Sequence, residues 1–225
     1  MISHNQPVFE VSAKVLLKAY SCGIFPMAES ADAEDIFWVD PEERGIFPLD
    51  QFHIPKKLIR KIRAQPFDVR INTAFHEVMT KCAKPTDNPE RKNTWINDII
   101  LERYAELHEL GYAHSIECWQ DDNLVGGLYG VSLNGAFCGE SMFHEVTDAS
   151  KVALVYLVAR LKAGGYSLLD TQYVTDHLSQ FGAVEIPRMI YRQLLKAALE
   201  LDYTDFYALP ENSSVQSIIN LAINE

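Results

Sequence analysis

Two short stretches carry side chains whose types and spacing can do chemistry. The first is AFCGESMF (136–143) and the second is SLLDTQ (167–172). A strand sends alternate side chains to opposite faces. That period places Cys138, Glu140 and Met142 on one face, with Phe137, Gly139 and Ser141 on the other. It also places Asp170 and Gln172 on a common face, provided the strand runs through both. Sheet interiors avoid unpaired polar groups, so a carboxylate beside a thioether and a carboxylate–carboxamide pair both stand out as candidate site residues. The plain alternative is that Asp170 caps the following turn and Glu140 makes an ion pair; both readings stand at this point. His177, in Thr175-Asp176-His177, ranks below Asp170 and Gln172, because a single helical histidine is more often structural. Other chemistries lack their signatures. There is no G-x-S-x-G, P-loop or G-x-G-x-x-G. The cysteines at 22, 82, 118 and 138 form no C-x-x-C and no Cys/His set with zinc spacing. Free thiols, no metal and no cofactor are expected.

The elements that must position these residues follow from periodicity. AHSIECW (113–119), LVGGLYGVSL (124–133) and AFCGESMF (136–143) read as an antiparallel meander, turned at Gln120–Asn123 and at Asn134-Gly135. Gly126, Gly127 and Gly130 in the middle strand call for a bulge or a close backbone approach. A helix is expected over 149–162, capped by Thr147 or Asp148 and stopped at Gly164-Gly165, followed by a buried strand at 167–170. Further helices are expected over 9–21, 55–63, 72–83, 95–110 (capped by Thr94), 175–182 and 188–200, with strands at 37–39 and 67–71 and a polar loop at 85–92. This order is an α+β layout around a largely antiparallel sheet.

With 225 residues, 48% hydrophobic and 23% charged, the chain has the make-up of an ordinary folded protein. Residues 1–10 do not read as a signal peptide, and no stretch is apolar enough to span a bilayer. The expectation is a cytoplasmic protein in a reducing setting, with no membrane partner. The net charge of −11 argues against nucleic acid, but its distribution is uneven. Acidic residues crowd 29–50, and directly afterwards come Lys56, Lys57, Arg60, Lys61 and Arg63. On a helix opened by Pro55, these cations surround a face of Leu58, Ile59 and Ile62. Such a run is either a solvated face or a phosphate-contacting one.

The stretches AYSCGIFPM (19–27), FWVDPEERGIFPLDQFHIPKKL (37–58), TWINDIILERYAELHELGYAHSIECW (94–119), LVGGLYGVSLNGAFCGESMF (124–143), ASKVALVYLVARL (149–161) and LLDTQYVTDHLSQFGAVEIPR (168–188) occur in order and at compatible spacing. Together they resemble the bacterial leucyl/phenylalanyl-tRNA–protein transferases over nearly the whole chain. The resemblance implies a GNAT-like acyltransferase fold: a catalytic domain over 65–225, preceded by a small N-terminal subdomain over 1–64 that carries the basic helix. It implies an aminoacyltransferase that uses no acetyl-CoA. The donor is Leu-tRNA or Phe-tRNA, with Met-tRNA poorer. The acceptor is a protein beginning with Arg or Lys, which the added residue marks for N-end-rule degradation. A monomer is expected.

Carried over position by position, the aminoacyl pocket falls on Leu128, Met142, Leu154, Leu161 and Leu169. The 3′-adenosine contacts fall on Tyr20, Trp95 and Tyr104. Glu140, Asp170 and Gln172 match the polar centre, with Asp170 and Gln172 expected to be catalytic and Glu140 to bind the acceptor. On the strength of charge pattern alone, Lys56, Lys57, Arg60, Lys61 and Arg63 are expected to contact the tRNA backbone. The chain departs from the family pattern at Met27, where the family has Trp, and at Thr175, where it has Asn. Two rivals come from other classes. An acyl-CoA transferase would need a phosphate-cradling glycine loop at a helix start, whereas Gly164-Gly165 sits at a helix end. A non-catalytic tRNA-binding module would form no peptide bond.

Overall fold

A computed structural model describes residues 11–85 and 94–223. The expected loop over 85–92 lies outside these apart from Pro85, as do residues 9 and 10 of the first expected helix. The described part of that helix is α1 (Ala13–Ser21), capped by the Ser12 hydroxyl. A small ribbon of β1 (Phe25–Met27) and β2 (Phe37–Val39) follows.

The central sheet has seven strands. They are β3 (Glu43–Phe47), β4 (Asp68–Ile71), β5 (Ala113–Gln120), β6 (Asn123–Leu133), β7 (Ala136–His144), β8 (Leu168–Gln172) and β9 (Val184–Pro187), in the spatial order β4-β5-β6-β7-β8-β3-β9. Every neighbouring pair is antiparallel except β7–β8, which is parallel. The expected meander is present. Asp121 and Asp122, both at positive φ, make the tight turn between β5 and β6. Two strands of this sheet were not foreseen: β9 and β3. β3 lies in the acidic 29–50 stretch, yet it pairs with both β8 and β9.

Between β7 and β8 runs α5 (Ala149–Ala163), buried on nearly every side although it carries Lys151, Arg160 and Lys162. Asp148 is its N-cap residue at φ 70°, but its carboxylate makes no capping bond and faces Lys61 and Lys151 instead. Gly126 lets the start of α5 close on β6: a Cβ there would lie 2.4 Å from that of Ala149. Helices α2 (Lys56–Arg63) and α8 (Val215–Ile223) cover this side. On the other face lie α1, α3 (Phe75–Ala83) and α4 (Asp98–Glu109). Asn97, not Thr94, caps α4 through Ile100 N; Thr94 instead accepts from Ile96 N. The helix expected over 175–182 shortens to α6 (Asp176–Ser179), and α7 (Arg188–Leu199) follows β9.

Residues 43–63 are built into the main body. β3 sits inside the seven-stranded sheet, and Leu58 and Ile62 of α2 belong to the core beneath α5. Among the described residues no helix is long and apolar enough to cross a membrane, and no group of His, Cys, Asp or Glu is placed to hold a metal.

Candidate active site

The site begins where β7 and β8 run parallel, with Cys138 paired to Asp170. Partners in register share a face. On that face Asp170, wholly buried, is held by Arg44 of β3. Arg44 Nε donates to Oδ1 at 2.8 Å and Nη2 to Oδ2 at 2.6 Å. Tyr191 of α7 donates its hydroxyl to Oδ2 at 2.7 Å, and the backbone N–H of Gln172 donates to Oδ1 at 2.8 Å. Asp170 therefore does close onto the turn that follows it, and it also forms a buried bidentate ion pair. Arg44 itself is 1% exposed. Burial works against its charge, and the bonds it donates to Asp170 more than restore it.

Gln172 ends β8 at φ 65°, a left-handed backbone that a residue with a side chain adopts only when its surroundings hold it. Its Nε2 donates to Glu140 Oε1 at 2.9 Å, leaving the carbonyl as its accepting end. Glu140 Oε1 also accepts from Tyr20 at 2.7 Å, and Oε2 accepts from Tyr104 at 3.1 Å. The two phenol oxygens also lie within hydrogen-bonding distance of each other, so their two protons are shared among three contacts. No ion pair among the described residues involves Glu140. Burial raises its carboxyl to about 7, against the opposing pull of the Tyr20 and Gln172 bonds. The same burial, with the Glu140 charge, raises Tyr20 and Tyr104.

The expected face-sharing along β7 is corrected by a bulge. Tyr129 pairs with Ser141 and Gly130 with Gly139, so Glu140 is the extra residue on β7. A bulge shifts the alternation by one. Cys138 accordingly packs with the α1/α3/α4 face, whereas Met142 packs with the α5 face. Glu140 sits at the crossover and turns toward the tyrosines, not toward Met142.

The five residues assigned to the aminoacyl pocket belong to one large apolar cluster on the α5 face. Leu128 pairs in register with Met142, and Leu154, Leu161 and Leu169 belong to the same core. The four leucines are buried. The three residues assigned to adenosine divide. Tyr20 and Tyr104 are buried with their hydroxyls on Glu140, and Trp95 is half-buried, its carbonyl accepting from Ala28 N–H at 3.0 Å. Met27 is half-buried on β1, opposite Phe37. In the basic helix, Lys56, Lys57, Arg60 and Arg63 are exposed. Lys61 is half-buried and tied to Thr147 O at 2.5 Å and Asp148 at 3.4 Å, so it is not part of an open cationic face. Arg63 meets Gln216 at 3.2 Å. His177 lies against Phe181, with its pKa lowered by burial.

Sequence reasoning did not single out Arg44 and Tyr191. Arg44 follows Glu42-Glu43 and reads there as one more solvated charge. The available signal was Arg44-Gly45: a Cβ at Gly45 would meet Thr171 Oγ1 and the Tyr173 backbone at 2.7 Å, so glycine lets β3 approach the Gln172 turn. Cys138 lies on the site face, but burial raises its thiol and denies it a thiolate. This face offers an orienting carboxamide, a carboxyl near neutrality and a fixed anion, with no activated nucleophile among its described residues.

Two family models match the chain. One, described as leucyl/phenylalanyl-tRNA protein transferase, covers residues 46–196; the other, the N-terminal domain of the same transferases, covers 9–42. A leucyl/phenylalanyl-tRNA–protein transferase of Afipia carboxidovorans is 54% identical over 223 residues, 99% of this chain and 97% of the relative. Transferases of the same name from Nitrobacter winogradskyi and Phenylobacterium zucineum are 60% and 57% identical, each over 89% of this chain and 88% and 89% of their own.

Proposed function

The chain belongs to the leucyl/phenylalanyl-tRNA protein transferase family, and from that premise we propose that it moves leucine or phenylalanine, and methionine less well, from aminoacyl-tRNA to the N-terminal Arg or Lys of acceptor proteins. The observation that carries the reading is similarity at 54% identity along 99% of the chain. The product is marked for N-end-rule degradation, and the enzyme works as a cytoplasmic monomer. The fold is related to the GNAT acyltransferases, a reading supported by the mixed sheet with its one parallel pair joined through α5. A small N-terminal subdomain precedes the catalytic body.

The donor ester is already activated, and the nucleophile is an α-amine with an ordinary pKa near 8. A useful fraction is therefore unprotonated at neutral pH, and holding amine and ester together supplies much of the rate. The carbonyl of Gln172 accepts a hydrogen bond from the attacking amine, and Asp170 fixes the backbone of Gln172. As the N–C bond forms and the ester C–O bond breaks, a proton leaves the amine and the ribose oxygen gains one. Glu140 pairs with the acceptor's Arg or Lys through a charge-assisted bond; its lack of a cation among the described residues supports this. Leu128, Met142, Leu154, Leu161 and Leu169 receive the apolar aminoacyl group, which such a pocket separates strongly from charged side chains and weakly from its isosteres. Trp95 receives the 3′-adenosine, while Tyr20 and Tyr104 act on the site through Glu140. Lys56, Lys57, Arg60 and Arg63 contact the tRNA backbone, and Lys61 supports their helix.

The test is incubation with labelled Leu-tRNA and a peptide beginning with Arg, read by mass spectrometry. The expected product is the peptide extended by one leucine. Bound Leu-tRNA with an unchanged peptide would make the protein a tRNA-binding module and end the catalytic reading.

A further inference from the structure

We propose that Arg44 is a positioning residue of the transfer reaction: it keeps Asp170 fully engaged and, through Asp170, holds Gln172 in the turn that aims its carboxamide. This rests on the functional reading above and adds a residue to it. Arg44 is not available to a substrate. Its guanidinium lies between the rings of Phe25 and Tyr191, 4.5 Å from each centroid. Nη1 donates to Gly23 O at 3.0 Å, and the other donors meet Asp170 and Tyr191. The group is sealed, so a phosphate-binding role is ruled out by geometry.

The consequence falls on Asp170. A carboxylate has about four acceptor sites. Here they are taken by Arg44 Nε, Arg44 Nη2, the Tyr191 hydroxyl and the Gln172 N–H. Nothing remains to receive a proton from the acceptor amine. Of the conceivable proton acceptors, Asp170 therefore drops out; the amine proton passes to water or to the departing ribose oxygen. What Asp170 does instead is geometric. Its Oδ1 bonds the N–H of Gln172, the residue at φ 65°. Gly45, beside Arg44, lets β3 close on that same turn. Arg44 is thus one bond from Asp170 and two from the backbone of Gln172.

The experiment compares Arg44→Lys and Arg44→Ala with the wild type, measuring kcat, KM for Phe-tRNA, KM for an Arg-initiated peptide, and Tm. Lysine keeps the charge but loses the planar fork. Misplacing a reacting group slightly costs about 100-fold, so kcat should fall by about that factor in Arg44→Lys with both KM values unchanged. Guanidinium ion added to Arg44→Ala should restore kcat at concentrations that leave Tm unmoved, and ethylammonium should not. Normal kcat in Arg44→Lys, or rescue that raises Tm without kcat, would overturn the assignment to positioning. Tyr191→Phe removes one donor to Asp170 and leaves the ion pair, so it reports even where an Arg44 variant does not fold. A kcat loss at constant KM supports the proposal, and unchanged kcat overturns it. The wild-type reaction separates the two readings: if it forms no peptide bond, the functional reading fails before this one is tested.

Discussion

On one face of the sheet, Leu128, Met142 and Leu169 pack with Leu154 and Leu161 of α5 in one apolar cluster. On the other, Arg44, Asp170, Gln172, Glu140, Tyr20 and Tyr104 are joined by directional bonds, each donor met by a specific acceptor. The bulge at Glu140 is where β7 passes from one regime to the other. An apolar set tolerates changes of shape if volume is kept, whereas a polar set fails when one partner goes, because the other is left buried and unsatisfied. The apolar face should therefore respond in stability, and the polar face in stability and rate together.

The largest effect should come from Asp170→Ala. It strands the buried charge of Arg44, and breaking a buried pair costs about 3–5 kcal/mol. Denaturant titration should show a midpoint shift of that order alongside near-complete loss of transfer. An unmoved midpoint would mean the polar face is not the rigid one. Leu161→Ala, on the packed face, should cost about 2–5 kcal/mol. Because Leu161 is also assigned to the aminoacyl pocket, the folded remainder should show a raised KM for Leu-tRNA with a near-normal kcat at saturating donor; a collapse of kcat there would erase the contrast between the faces.

Glu140→Gln should act mainly on the acceptor. The carboxamide keeps the size and loses the charge. A charged hydrogen bond contributes about 1.5–3 kcal/mol against about 1 for a neutral one, so acceptor kcat/KM should fall by about ten-fold, with Phe-tRNA affinity retained. Because burial raises the Glu140 carboxyl from 4.5 to about 7, wild-type acceptor kcat/KM should rise as pH passes about 7. That inflection should vanish in the glutamine variant. Stability carries the opposite sign. Between 4.5 and 7 the folded protein holds a proton that the unfolded chain has released, so stability falls as pH rises through that window and levels off above it. The Tm gain of Glu140→Gln over wild type should be larger at about pH 8 than at about pH 5, and an equal gain at both would remove Glu140 as the titrating group. The smallest effect belongs to neither face. Reversing the charges of Lys56, Lys57 and Arg60 should lower the salt slope of tRNA binding by about 0.7–0.9 for each phosphate that is no longer neutralised. An unchanged slope would make α2 a solvated helix.

Much of this contrast was legible from residue order. The meander, α5 and the pairing of Asp170 with Gln172 follow from local periodicity and turn chemistry, and those signals act over a few residues. What was not legible depends on long-range register. The bulge at Glu140 changes no residue type, yet it reverses the face on which Met142 lies. Arg44 looks like a surface charge until β3 is brought beside β8, 126 residues later in the chain. β9 escaped because four residues ending in proline, lying on the sheet edge, carry little pattern of their own. The two faces were half-read for the same reason: packing leaves a periodic trace, and a network of single bonds between distant residues does not.

The placement of β3 also orders events during synthesis. Its partners in the sheet are β8 and β9, the last two strands among the described residues. A ribosome adding about 5–20 residues per second takes roughly ten seconds to travel from β3 to β9. Through that interval the nascent chain carries β3 with neither edge paired, while β4 to β7 can already zip together in sequence order. The ion pair that anchors the polar face is thus among the last bonds the newborn protein can make, and a truncated translation product without β8 and β9 lacks that anchor entirely.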